Sequence, residues 1–498
     1  MKIVAKTESN SMSNKKLPAP VLEGSSPGLI SGELDRRDCL FRLGSGLGAM
    51  ALSSMLQQDG ALSAAQVSAN ERPLEPKPPH FARPAKSCIF LFMSGAPSQM
   101  DTFDPKPELD KYHGKPITRI YGSLEKRLYV GSPFKFSRYG QAGIDVSEIF
   151  PHLARCVDDL AIVRSLHTSV EAHTTATFFM NTGEAIPGSP SLGSWLIYGL
   201  GTENENLPAF VVLPDHRGGV FGGSMNWSNA YLPAACQGTL LNPVGPAIVD
   251  LVPNYGISRR QQRDNLTLLN RLNEQYLDSN PRNRDLLGRM RNYELAFRMQ
   301  SAVPDALDIG RETAFTRKQY GLDENVTEAM GRKCLMARRM VERGVRFIQI
   351  YCDGWDSHEN IAGGHAQRAL EVDRPIAGLI EDLKQRGLLD ETLIVWGGEF
   401  GRTADNTMTF FRTGPGRDHN KEAMVFWMAG GGVKGGRVIG ATNELGTKAV
   451  ENVYHTHDLH ATILHLMGLD DMELTYYHGG RFKRLTDLGG RTIQEVVS

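Results

Sequence analysis

The chain has 498 residues, of which 41% are hydrophobic, 22% charged and 8% aromatic, and its formal net charge is -1. That apolar content excludes a disordered chain, and the near-neutral balance supplies no overall field for nucleic acid or anionic lipid. The six cysteines, Cys39, Cys88, Cys156, Cys236, Cys334 and Cys352, form neither CxxC pairs nor a dense framework, which excludes zinc fingers and small disulfide-stapled folds.

Arg36-Arg37 precedes a Gly-rich apolar run from Leu43 to Leu56, and Val67-Ser68-Ala69 then offers the small residues a signal peptidase reads. This order predicts a Tat-type signal peptide over residues 1–69. The alternative is an ordinary surface helix carrying two arginines. The run is too short, and too rich in Gly and Ser, for a membrane span. The expectation is an exported protein, periplasmic or extracellular, that meets the Tat translocase in transit and keeps no stable membrane span after cleavage. Gly44, Gly46 and Gly48 follow no strand, so a dinucleotide-binding reading is rejected.

Residues 70–85 hold five prolines and predict an extended linker. Cys88–Met93 is a continuous apolar run of strand length that ends in the turn formers Ser94-Gly95-Ala96-Pro97. A run apolar on both faces suits a central strand of a parallel sheet. Similar runs recur at Leu160–Val163, Phe210–Leu213, Val345–Tyr351, Thr392–Trp396 and Met424–Met428, with helical patterns such as Arg332–Arg343 and Ala369–Arg386 between them. The alternation predicts an α/β fold over 86–498, with a mainly parallel sheet and helices on both faces. The polar, helix-favouring stretch 258–300 reads as a helical insertion.

Acidic and histidine residues gather where the strands end, the edge at which open parallel sheets bind ligands. After the first run comes Asp101, a hard metal ligand or a turn residue. After the second comes His173, near the start of a helix that closes on Thr182-Gly183; helix starts favour anions. After Val345–Tyr351 come Asp356, His358 and His365, a mixed oxygen and nitrogen set suited to zinc or another transition metal. After Thr392–Trp396 come Glu399 and Arg402, then Arg417, Asp418 and His419. The two arginines can clamp an oxyanion, or pair with Glu399 and Asp418 as structural salt bridges.

Taken together, these segments resemble the alkaline phosphatase superfamily, which includes arylsulfatases. The resemblance lies in the helix closing on Thr182-Gly183 ten residues after His173, in the order Asp356, His358 or His365, then His419, and in the final helix around His457-Asp458-Leu459-His460. More narrowly, Phe92-Met93-Ser94-Gly95 through Lys106, Val395–Thr403 and Arg417–Asn420 resemble DUF1501 proteins, an exported bacterial group often labelled sulfatase-like. The likeness runs from about Lys86 to Val497.

The resemblance implies an alkaline-phosphatase-like core and one or two divalent ions, zinc, calcium or manganese. Asp356, His358 or His365, and His419 would form a first metal site. Asp101 and Glu399 are the nearest matches to a second. It departs from the family pattern where a Ser, Thr or Cys nucleophile is expected, since His173 stands there, and where an Asp-His pair is expected, since Glu399-Phe400 stands there. The expected function is metal-dependent hydrolysis of a phosphate or sulfate ester, on a small molecule or a glycan. His173 would act as ligand, base or nucleophile, and Arg402 and Arg417 would stabilise charge. The alternative is a protein of the same fold that binds an anion or glycan without catalysis, or serves as a subunit of an exported complex.

Overall fold

Strand β1, Ser87–Met93, runs through the middle of a nine-stranded sheet and is buried along its whole length, which is why its sequence is apolar at every pleat. The others are β2 (Leu160–His167), β3 (Phe210–Leu213), β4 (Thr239–Leu240), β5 (Phe347–Cys352), β6 (Thr392–Gly397), β7 (Met424–Ala429), β8 (Arg437–Ile439) and β9 (Tyr454–His455). Their order is β8-β2-β7-β6-β1-β5-β3-β4, with β9 also on β2. All pairs are parallel except those of β7, which runs against β2 and β6. Each of the six apolar runs is a strand of this sheet. The structure is a computed structural model and describes residues 73–117, 127–245, 247–248, 251, 256–280, 284–407 and 414–497. The expected signal peptide lies outside the described residues.

The helices that concern the site and its supports are α1 (Gln99–Thr102), α2 (His173–Thr182), α3 (Leu192–Leu200), α4 (Arg259–Ser279), α5 (Arg284–Leu307), α6 (Asn325–Val341), α7 (Ile361–Gln385) and α8 (Thr456–Leu466). Alternate residues of β1 enter two cores. Ile89, Leu91 and Met93 pack with Leu335 and Met336 of α6 and with Val372 and Ile376 of α7. Cys88, Phe90 and Phe92 pack with Trp195 of α3 and Ile463 of α8. Full burial of side chains of this size stabilises by about 1.5–3 kcal/mol each, so the two layers fix the strand ends that carry the polar residues. Helix α7 starts eight residues before its sequence pattern becomes evident, because Asn360, in a left-handed conformation at φ 46°, caps it by accepting from Gly363 N.

The insertion is a helical pair, α4 and α5. Ser258 and Gln261 form a capping box at the start of α4. Helix α4 buries none of its residues, whereas α5 sends Phe297, Met299, Val303 and Ala306 inward. The Pro-rich segment expected as a linker is laid on the sheet's helical layer: Lys77 N bonds Leu200 O, His80 N bonds Gly468 O and Ala85 N bonds Leu466 O. Among the described residues no helix is long and apolar enough to cross a membrane.

Three candidates named from the sequence are part of this scaffold and do not face a ligand. Arg417 was expected on an oxyanion and Asp101 on a metal, but they pair with each other. Arg417 Nε lies 2.6 Å from Asp101 Oδ2 and Nη2 lies 3.1 Å from Oδ1, with both side chains fully buried. Arg417 Nη1 donates to Val130 O and Thr403 O, and Ser98 Oγ donates to Asp101. Burial pushes the Asp101 carboxyl up, but Arg417 outweighs it and holds the group below its usual range. His365, expected as a possible ligand, is fully buried on α7. Its Nε2 accepts from Ser98 N at 2.9 Å and its Nδ1 lies 3.2 Å from Ser357 Oγ, so neither nitrogen is free to coordinate.

Breaking a buried pair leaves an uncompensated charge. Arg417→Ala is therefore expected to cost about 3–5 kcal/mol in urea unfolding, with the Asp101→Ala/Arg417→Ala double variant recovering part of the loss. Burial also lowers His365 and His460 to about 3. Each must bind a proton on acid unfolding, so their contribution is complete above about pH 6.5 and is lost as pH falls toward 3. Unfolding free energies from urea titrations at pH 7, 6 and 5 should fall with a slope of up to ~1.4 kcal/mol per pH unit per histidine, and His460→Asn should flatten it by about one proton.

Candidate metal centre

Four side chains meet at the carboxyl edge of the sheet. His173 opens α2, six residues beyond the end of β2 at His167, and the helix closes on Gly183 in the left-handed region at φ 75°. Asp356 and His358 lie in the loop after β5, and His419 precedes β7, whose reversed direction brings its start to this same edge. A two-residue antiparallel bridge sets His419 opposite Arg402.

Asp356 is the hub. Its Oδ1 lies 3.2 Å from His358 Nε2 and 3.5 Å from His419 Nε2, and its Oδ2 lies 3.3 Å from His173 Nε2. The Nε2 atoms of His358 and His419 are 3.0 Å apart. Two imidazole nitrogens this close, beside a carboxylate, suit a shared cation. In a tetrahedron with bonds of roughly 2.0–2.1 Å, ligand atoms lie roughly 3.3–3.4 Å apart, which is the scale of these four separations. His173, Asp356 and His419 form the group among the described residues whose ligand atoms all lie within 4.8 Å of one another.

The outer nitrogens are engaged as metal-binding imidazoles require. His173 Nδ1 is 2.6 Å from Glu399 Oε1, His419 Nδ1 is 2.7 Å from Glu171 O, and His358 Nδ1 faces Asp418 Oδ1 at 3.6 Å. The first two contacts place a proton on Nδ1 of His173 and of His419, so that Nε2 is the atom each ring presents to Asp356. Glu399 is fully buried. Its Oε1 also accepts from Gly95 N, and its Oε2 has no hydrogen-bond partner among the described residues. Gly95, at φ 101°, is required there: a Cβ would lie 2.5 Å from Asp356 N.

Arg402, expected on a substrate oxyanion, is fully buried and spends its donors inside: Nε on Ala96 O, Nη1 on Arg417 O, and Nη2 on Gly95 O and, at 2.6 Å, on Asp356 Oδ1. It fixes Asp356 and does not reach outward. Burial opposes ionisation of Asp356, but the three histidines and Arg402 hold its carboxyl far below the usual range. Burial likewise lowers His173, but its bonds to Asp356 and Glu399 outweigh this and raise it to about 9. Asp418 accepts from His419 N and pairs with Arg127 at 3.3 Å, so it braces the loop.

Of the sequence candidates, the fold gathers His173, Asp356 and His419 within 4.8 Å of one another and sets His358 beside Asp356 and His419, with Glu399, Asp418 and Arg402 behind them. Asp101, His365 and Arg417 lie in the scaffold. Sequence reasoning missed two contributors, Phe221 and the Glu171 carbonyl, and gave Phe400 no packing role. Phe221 stacks on His173 (4.6 Å, 13°), and no local pattern marks it. The Glu171 carbonyl has no side-chain signature. Phe400 packs 4.9 Å from His173 and 4.5 Å from His419, filling with hydrocarbon the place of an expected histidine.

Among solved structures the chain is similar to the alkaline phosphatase from the Antarctic bacterium TAB5, with 10% identity over 78% of this chain and 100% of that one and a TM-score of 0.34. It is also similar to a phosphonate monoester hydrolase from Silicibacter pomeroyi, with 10% identity, 82% and 76% coverage and a TM-score of 0.36. The lipoteichoic acid synthase LtaP from Listeria monocytogenes gives 10%, 82% and 78%, and 0.31. Likenesses at this level carry no argument about activity. No curated protein matches the chain by sequence. The DUF1501 family, described as a protein of unknown function, matches residues 85–497, more than four-fifths of the sequence and every residue of the metal centre. The chain belongs to the DUF1501 family.

Proposed function

We propose that this protein hydrolyses a phosphate or sulfate ester, on a small molecule or a glycan, with one divalent metal ion held by Asp356, His358, His419 and His173. The observation that carries this reading is the convergence of three imidazole Nε2 atoms on one carboxylate, each imidazole oriented from behind. Three nitrogens and one oxygen suit zinc or manganese better than calcium, which takes oxygen ligands. Phe400 offers no donor, and Asp101 is committed to Arg417, which favours one ion over two.

Bound there, a divalent ion would polarise an ester oxygen and lower the pKa of a water. The protein's own groups supply the rest. Glu399 holds the His173 ring through Nδ1, and Phe221 and Phe400 restrict it on its faces. Helix α2 has Ala172 at its N-cap and no capping side chain, so backbone N–H groups of its first turn are available to an anionic substrate. With His173 in place of a hydroxyl or thiol, water is the attacking group. We further read the protein as exported, handed to the Tat translocase by the segment containing Arg36-Arg37.

The missing side-chain nucleophile favours a second reading, a binding protein that retains the centre without catalysis. Turnover separates the two. Purified protein loaded with zinc or manganese should carry one equivalent of metal by elemental analysis and should hydrolyse an aryl phosphate or sulfate. His419→Ala should lose both the metal and the activity. Equal rates in the two proteins would remove catalysis from this site, and metal without turnover would leave the binder. Glu399→Gln keeps the shape but weakens the support of His173, so chelator competition should show metal affinity lowered by about 10–100-fold.

A further inference from the structure

A second site lies at the same sheet edge, beyond the ends of β3 and β5. It is a cavity of about 370 Å³ walled by Asp215 and Arg217 after β3, Cys352 at the end of β5, Lys333 on α6 and Glu371 on α7. No step of the proposed hydrolysis uses these residues.

The carboxylates in the wall are already occupied. Arg217 binds Asp215 through Nε and Nη2, each at 2.9 Å, and Glu371 through Nη1 at 2.8 Å. Arg368 also pairs with Glu371, at 2.8 Å. Lys333 is different. It is 2% exposed, and its Nζ donates to Tyr351 O at 2.6 Å, while the nearest carboxylate oxygen, on Asp215, is 3.8 Å away and outside hydrogen-bond distance. An ammonium has three donors. A buried cation with one bonded acceptor beside an open volume needs further acceptors there.

The helix that carries Lys333 adds to the same polarity. α6 is 17 residues long, its N-cap Glu324 makes no side-chain cap, and its first-turn residues Asn325 and Val326 line the cavity. Its dipole points positive charge at this space, and the two carboxylates at the same helix start are engaged elsewhere, Glu324 by Arg374 and Glu328 by Arg332. The wall carries two cations, Arg217 and Lys333, and two carboxylates, Asp215 and Glu371, and Arg368, outside the lining, pairs with Glu371 from behind, so Lys333 is the cation least engaged by a carboxylate.

We propose that this cavity binds a compact oxyanion, the carboxylate or phosphate group of a small molecule, against Lys333 Nζ and the first turn of α6. The site stands beside the metal centre. Arg217 Nη2 grips Asp353 O at 2.6 Å, and Asp353 is three residues from Asp356, at most about 11 Å of chain. Occupancy of the cavity, whose wall includes Arg217, would thus bear on the loop that carries the hub carboxylate. The proposal does not depend on the hydrolytic reading, because the cavity and its cation are complete without the metal.

The test uses the full chain stripped of metal by a chelator, titrated calorimetrically with inorganic phosphate and, separately, with acetate. One saturable site is expected for at least one probe; the tighter probe tells whether the group recognised is phosphoryl or carboxylate. Lys333→Met removes the cation and keeps the stem. Ala329→Phe fills the half-buried wall without touching a charge. Each should weaken binding by about tenfold or more, with folding checked by circular dichroism. If Lys333→Met does not fold, Ala329→Phe provides the readout. Absence of saturable binding by both probes overturns the proposal, as does any folded variant that binds like the wild type.

Discussion

The ion pair between Arg402 and Asp356 is the contact on which the centre depends. Asp356 is drawn toward the histidines on one side, and an unbraced carboxylate in a loop would turn to solvent. Arg402 prevents this with a guanidinium that is buried and tied to the Gly95, Ala96 and Arg417 carbonyls. The turn after β1, the loop after β5 and the strand that faces His419 are thereby joined through one side chain. Two arginines that look alike in the sequence have divided duties: Arg402 braces the hub, and Arg417 anchors α1 through Asp101.

Around that hub the protein builds outward in shells with decreasing charge. The inner shell is Asp356 and three imidazoles. Behind it, Glu399 and the Glu171 carbonyl engage Nδ1 of His173 and of His419, and Asp418 lies beside His358. Behind those, Phe221 and Phe400 exclude water from the His173 faces and leave its Nε2 as the outlet for polarity. Glu399 is costly to bury, and it is tolerated because Gly95 N and His173 Nδ1 both donate to it. A buried carboxylate oxygen without a partner, behind a histidine whose pKa is raised, is the electrostatic signature of a place prepared for positive charge.

The candidate metal centre and the Lys333 cavity share an edge because of sheet topology. Parallel strands put all their carboxyl ends on one side, and the reversed β7 contributes its amino end there as well. Polar groups that would be destroyed by burial in the two hydrophobic layers collect where those layers stop. The same edge therefore hosts a cluster that favours a cation and, a few residues away along the Asp353–Asp356 loop, a cavity that favours an anion.

The amino-acid sequence alone determined the layering. Continuous apolar runs such as Cys88–Met93 can be satisfied only by burial on both faces, and that fixes a mainly parallel α/β sheet, the location of the site at the strand ends and the helical nature of 258–300. It also singled out His173, Asp356, His358 and His419, because polar residues directly after apolar runs have few other places to go. Only the tertiary structure decided which neighbours those residues meet. His358 and His365 are equivalent in composition, yet one faces the hub and the other is spent on Ser98 N and Ser357 Oγ. Arg417 and Asp101 are 316 positions apart, and Phe221 has no periodicity that ties it to His173. Hydrophobic burial is encoded locally, residue by residue, whereas the direction in which a polar side chain points is set by partners that chain order does not reveal.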